Sequence, residues 1–254
     1  MSKVQTKYLQ YRGKITALVG QGEHLYFVTT HPEGQATALY RFHVDNAELT
    51  EIPLIGDSGR ALSITESELL VASVDDSLEW YGFGSGNTES FGPTFGGPIE
   101  AFLTASKNRL AVLAGTSLVI VSKESGAELQ RFDLGEEGQS IAVNPTGEWI
   151  AVGTNLGTVA IFESEKKDEF VKGDSQKLHE GAVKALLFDR DELRILSTGS
   201  DCKLLMTHVR GRLDPEDRGG KSKHEQPAVR MIAGQENVFY SGGMDKTFKV
   251  WPGG

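Results

Sequence analysis

The chain has 254 residues, of which 39% are hydrophobic, 8% aromatic and 24% charged, and it contains 30 glycines. That balance describes a turn-rich globular protein with enough apolar material for a large core, and it argues against disorder. A formal net charge of -9 and a pI near 5.2 argue against a surface built to bind phosphate, because nucleic-acid modules present a basic field.

The single cysteine, Cys202, rules out an internal disulfide and is compatible with a reducing compartment. The N-terminal stretch MSKVQTKYLQYRGK lacks the apolar centre of a signal peptide. No run approaches the roughly 20 apolar residues of a membrane helix. These features lead to the expectation of a cytoplasmic protein without a membrane segment.

Taken in order, the chain repeats itself. Units open near Arg12, Gly56, Phe95, Gly135, His179 and His224. Their spacing of about 40 to 45 residues suits one four-stranded propeller blade. Within each unit a β-rich segment, a polar turn, a second strand ending in small residues, a tight turn and a third strand follow in the same order. The second unit reads RALSI, TESE, LLVASV, DDS, LEWYGF. The fourth reads QSIAV, NPTGEW, IAVGT, NLG, TVAIF, and the fifth KALLF, DRDEL, RILSTGS, DCK, LLMTHV. Gly, Asn, Asp and Pro between β-branched and aromatic runs supply the backbone angles that tight reversals need. No window holds a helical period over ten or more residues.

Fourth strands are fainter. ELTEIPL at 48–54 and ELQRFDL at 128–134 fit well and FVKGDSQKL less so, while VRGRLDPEDRGGKSK reads as a charged surface loop. The sixth unit stops at Trp251 with only Pro-Gly-Gly after it, so KVQTKYLQ at 3–10 is the expected source of its last strand. Pairing the N-terminal strand with the C-terminal blade removes exposed sheet edges. The expectation is one domain over 1–254, an all-β propeller of six four-stranded blades. Seven blades remain the alternative if the long first unit conceals extra strands.

The stretch HEQPAVRMIAGQENVFYSGGMDKTFKVW at 224–251 resembles a WD repeat. His224 precedes the first strand, Ser241 lies in the second, Asp245 in the following turn and Trp251 in the third. In that family the four form a hydrogen-bonded structural set, and the chemistry fits, since a buried carboxylate requires donors. By resemblance the fifth unit keeps His179 and Thr198, with Cys202 in the aspartate slot, Asp201 one place early, and His208 or Thr207 in place of tryptophan. The fourth keeps Thr154 and Phe162, with Leu156 in the aspartate slot.

Catalytic signals are weak. GGKS at 219–222 lacks the upstream glycine of a phosphate loop, where Pro215 stands, and GFGSGN from 82 reads as a blade turn. One cysteine and scattered histidines make no zinc motif, and Asp75 and Asp76 sit in a turn. No catalytic residue, metal or cofactor is expected. A propeller hydrolase or lactonase with a channel metal is the alternative.

Function is therefore expected on the face that presents the starts of the innermost strands. Aligning them places Thr16, Arg60, Glu100, Gln139, Lys184 and Arg230 at one position, polar in each unit, beside the apolar Ile15, Ile99, Val183 and Val229. The expected partner is a protein or peptide, with Arg60, Lys184 and Arg230 suited to an acidic one. Pairing of these cations with Asp57, Glu136 or Glu180 is the competing reading. The resemblance implies a scaffold within a larger complex.

Overall fold

A computed structural model describes residues 14–30, 37–52, 59–64, 68–73, 78–82, 85–106, 108–166, 169–189, 194–209, 213, 215–217, 224–233 and 238–252. The described residues contain strands and turns and no helix. The chain divides into two compact units, 1–90 and 91–254.

The first unit holds two antiparallel four-stranded sheets. Sheet one is β1 (Lys14–Gln21), β2 (His24–Thr30), β3 (Thr37–His43) and β4 (Glu48–Ile52) in spatial order. Sheet two is β5 (Gly59–Ile64), β6 (Glu68–Ser73), β7 (Leu78–Gly82) and β8 (Thr88–Phe91). Strands β1 and β5 pack beside each other, and Tyr26, Val28, Leu39 and Ile52 bury against Tyr81. After β7 the Gly82 amide donates to Asn87 O at 3.2 Å, and residues 83–84 between them lie outside the described residues.

The second unit holds four sheets. Sheet three is β9 (Ile99–Ser106), β10 (Arg109–Ala114), β11 (Ser117–Ser122) and β12 (Glu128–Asp133). Sheet four is β13 (Gly138–Val143), β14 (Trp149–Thr154), β15 (Thr158–Lys166) and β16 (Glu169–Lys177). Sheet five is β17 (Val183–Phe188), β18 (Arg194–Gly199), β19 (Leu204–His208) and β20 (Pro215–Asp217). Sheet six is β21 (Ala228–Ala233), β22 (Val238–Gly243) and β23 (Phe248–Pro252). First strands β9, β13, β17 and β21 are successive neighbours.

Sheets whose strands follow in chain order, with first strands side by side, are the blades of a β-propeller. Five sheets have four strands and the sixth has three among the described residues. The strand expected to complete it, 3–10, lies outside the described residues. Sheet one has four strands, with no additional strand among its described residues. The charged segment after β19 contains the three-residue β20, paired with β19 through Leu205, Met206 and Thr207, where sequence reading expected only a loop. Pro215 lacks an amide hydrogen, and proline is tolerated at such an outer edge.

The core lies between sheets and repeats in register. Ala111, Leu118 and Ile120 of sheet three bury against Ile141, Ile150 and Phe162 of sheet four. The equivalent Ala151, Val159 and Ile161 of sheet four bury against Leu186 and Ile195 of sheet five. Leu196, Leu204 and Met206 of sheet five meet Met231, Phe239 and Trp251 of sheet six. Alternation along each strand sends one set forward and the other back, so both faces of these sheets are apolar.

Candidate interaction face and the networks behind it

In sheet six His224 is buried ahead of β21. Its Nδ1 lies 2.9 Å from Asp245 Oδ2 and its Nε2 lies 2.7 Å from Ser241 Oγ. The Trp251 indole N–H donates to the same Ser241 Oγ at 2.7 Å. A carboxylate only accepts, so the proton between His224 and Asp245 is on Nδ1. Asp245 also accepts from the Glu225 amide and from the amide and hydroxyl of Thr247. Burial pushes its carboxyl upward, but the donors from Thr247, His224 and Glu225 outweigh this and hold it well below the usual carboxylate range. The four residues singled out by sequence thus form one connected network.

Sheet five repeats it with different members from those expected. His179 Nε2 lies 2.8 Å from Ser197 Oγ, and His179 Nδ1 lies 2.9 Å from Asp201 Oδ1. Ser197, opposite Leu186, matches Ser241 opposite Met231. Thr198 instead donates across to Ala228 O of the next sheet at 3.0 Å. Cys202, with φ 63, holds the left-handed turn position that Lys246, with φ 62, holds after Asp245. Asp201 is therefore the acid, and Cys202 is the turn residue behind it.

Burial pushes the His179 imidazole down, against the pull of Asp201, so it is neutral near pH 7. Burial pushes Asp201 up, yet donors from His179 and the Glu180 and Lys203 amides hold it below its ordinary value. Of the two open candidates for the tryptophan place, register selects Thr207: it pairs with Ile195 as Trp251 pairs with Phe239. Thr207 is fully buried and its Oγ1 has no hydrogen-bond partner.

The same register extends to sheets without the network. In sheet four the corresponding residues are Leu134, Val152, Leu156 and Phe162; in sheet three they are Phe95, Val112, Thr116 and Val121. Leu156 and Phe162 fall as expected. Thr154 does not, because it pairs with Gly138 and so stands where Gly243 stands in sheet six. Its hydroxyl donates to Glu136 at 2.5 Å and accepts from the Thr158 amide. Replacing every member of a polar network by apolar side chains costs little, whereas removing one member strands the others.

The expected binding positions are reached through a shared irregularity. The pairing of each first strand with the second skips one residue: Thr16 in β1, Arg60 in β5, Glu100 in β9, Gln139 in β13 and Lys184 in β17. A β-bulge aims the skipped residue out of the ladder and is common at functional rims. In sheet six the skipped residue is Val229, between Ala228 and Arg230. Five expected positions therefore coincide with a bulge. Arg230 lies one residue beyond it, exposed, with Nη1 donating to Val229 O at 2.8 Å.

In the second unit Glu100, Gln139, Lys184 and Val229 stand near the starts of neighbouring strands, all partly buried. Ile99 and Val183 beside them are fully buried as expected, whereas Ile15 in the first unit is 51% exposed. The carbonyl preceding two bulges is fixed from the previous sheet. Ser140 Oγ donates to Val183 O and Thr198 Oγ1 to Ala228 O, both at 3.0 Å and both buried. Glu180 pairs with Lys177 at 3.1 Å and Glu136 accepts from Thr154. The side chains of Thr16 and Arg60, residue Asp57, and the segments 74–77 and 218–223 lie outside what the structure describes. Among the described residues no three His, Cys, Asp or Glu side chains converge as metal ligands, and no helix is long and apolar enough to cross a membrane.

No family model matches the chain. Among solved structures it is similar to the crystal structure of the computationally designed Ika8 protein, with 18% sequence identity and a TM-score of 0.73 over 94% of this chain and 70% of that chain. At that identity the likeness shows the fold alone.

Proposed function

We propose that the protein is a non-catalytic WD-repeat scaffold, a single six-bladed propeller completed by residues 3–10, acting in the cytoplasm within a larger complex. Its partner is a protein or peptide held on the bulged face by Thr16, Arg60, Glu100, Gln139, Lys184 and, beside the last bulge, Arg230. The observation that carries this reading is the bulge column. A polar residue is put outside the ladder at one register position in five sheets, and buried hydroxyls hold the carbonyl before the bulge in sheets five and six. Three of the six residues are cations on an acidic chain, which suits an acidic peptide; arginine adds bidentate carboxylate contact. The two His–Ser–Asp networks support the WD-repeat assignment.

Affinity capture followed by mass spectrometry tests it. A partner retained by the natural chain should be lost with Arg60→Ala, Lys184→Ala and Arg230→Ala combined, at unchanged melting temperature. Retention would overturn the assignment of the face. Metal analysis of the purified protein separates the other class, since a stoichiometric divalent ion would point to a hydrolase or lactonase instead.

A further inference from the structure

The outer edges of the sheets in the second unit are protected in different ways. Strand β20 is three residues long and begins with Pro215, which has no amide hydrogen to offer a passing strand. Strand β16 ends sheet four with nine residues, EFVKGDSQK, and pairs on one side only, with β15. The amides and carbonyls of its other side are the kind of groups to which a foreign strand adds.

One of those positions is taken by a side chain. Gln130, on the outer strand β12 of sheet three, donates from Nε2 to Phe170 O at 2.9 Å, and its Oε1 accepts from the Phe170 amide at 2.8 Å. A carboxamide carries the donor and the acceptor of a peptide group. Gln130 therefore gives Phe170 the two bonds that a residue of an added strand would give. Since Phe170 turns both groups away from β15, Lys172 does the same two residues on, while Val171 between them turns toward β15. Farther along, Asp174 Oδ2 accepts from the amide of the buried Leu213 at 2.8 Å.

The charges of β16 do not repel a second copy of it. Paired antiparallel about Gly173, two such strands set Lys172 against Asp174 and Glu169 against Lys177, an acid opposite a base each time. That pairing is self-complementary, as a two-fold contact between identical chains requires. Phe170 would then stand opposite Gln176, at the position where Gln130 already supplies both bonds.

We infer that Gln130 guards the edge of sheet four, occupying within the chain the place that β16 of a second copy would take. The guard acts where strand length and charge leave the edge open. It involves sheets three and four of one unit only and is independent of the bulged face.

Sedimentation of the full chain at rising concentration tests it. Gln130→Ala should self-associate at concentrations about tenfold below any at which the natural chain does, while remaining folded by circular dichroism. Adding Lys172→Glu sets like charges against Asp174 in both strands and should restore the natural behaviour. A Gln130→Ala chain no more associated than the natural one would overturn the inference and leave Gln130 as a tie between two sheets. Association that survives Lys172→Glu would overturn it as well, because the contact would not run through β16. If Gln130→Ala does not fold, Gln130→Ser serves with the same readout. Capture of a partner at Lys184 reports on the proposed function separately.

Discussion

Gly243 has no side chain to spare, because a Cβ there would stand inside contact distance of both His224 and Asp245. Gly199 is under the same constraint, with His179 Nδ1 at 2.5 Å and Asp201 Oδ1 at 2.9 Å from its would-be Cβ. Where the network is absent the equivalent position holds Thr154 or Ala114. Gly243→Ala should therefore cost about 1–3 kcal/mol by overpacking, read as a lower denaturation midpoint. Trp251→Phe keeps most of the packing and removes the donor to Ser241, at a cost of about 1 kcal/mol. Thr207→Val should do the reverse and stabilise by about 1 kcal/mol, because the Thr207 hydroxyl is buried without a partner. A loss on that substitution would show that the hydroxyl is satisfied in solution.

The networks also set an acid limit. His179 is depressed by burial, so below about pH 6.5 the unfolded chain binds more protons than the folded one, and stability falls as pH falls. Asp201 and Asp245 are depressed as well, so their contribution is complete above about pH 4 and lost below it. Both effects have one sign. Melting temperature should decline from neutral to mildly acid pH and more steeply below about pH 4. His179→Gln should flatten the first part of the curve; an unchanged slope there would remove His179 as its source.

At the scale of the strand, the bulge explains both what the sequence reveals and where it misleads. Strand and turn chemistry is local, so QSIAV, IAVGT and TVAIF mark β13, β14 and β15 closely. The polar residue at the bulge is legible in sheets one, three and five because apolar neighbours frame it, Ile15 and Ala17, Ile99 and Ala101, and Val183 and Ala185. In sheet six the bulged residue is Val229, and polarity alone points to the wrong neighbour, Arg230. Likewise Ser197 and Thr198 are both hydroxyl residues, and only register assigns one to His179 and the other to the Ala228 carbonyl. Asp201 and Cys202 are confused for a similar reason, since the left-handed turn residue follows the acid and counting residues cannot see φ. Ser140→Ala and Thr198→Val each leave a carbonyl beside a bulge without its hydroxyl donor. Each should cost about 1–2 kcal/mol, whereas Ser125→Ala in an exposed turn should cost less than about 0.5 kcal/mol.

At the scale of the molecule, His–Ser–Asp networks stand in sheets five and six, while sheets three and four fill the same register with apolar side chains apart from Thr116. The repeat is thus conserved in packing geometry and varied in chemistry, which is why sequence motifs fade toward the N-terminus although the sheets do not. The bulged starts need neither chemistry, since they depend on backbone pairing, with a hydroxyl reaching from the sheet before in sheets five and six. Loss of a surface cation on the bulged face should therefore leave the fold intact, and binding at the proposed site should be separable from stability. The direct test is titration of the captured partner against the natural chain and Lys184→Ala, with thermal unfolding measured in parallel. Affinity should fall by about tenfold or more, equivalent to roughly 1.4 kcal/mol, while the melting temperature stays within about 1 °C. Unchanged affinity, or a loss that tracks unfolding, would contradict it.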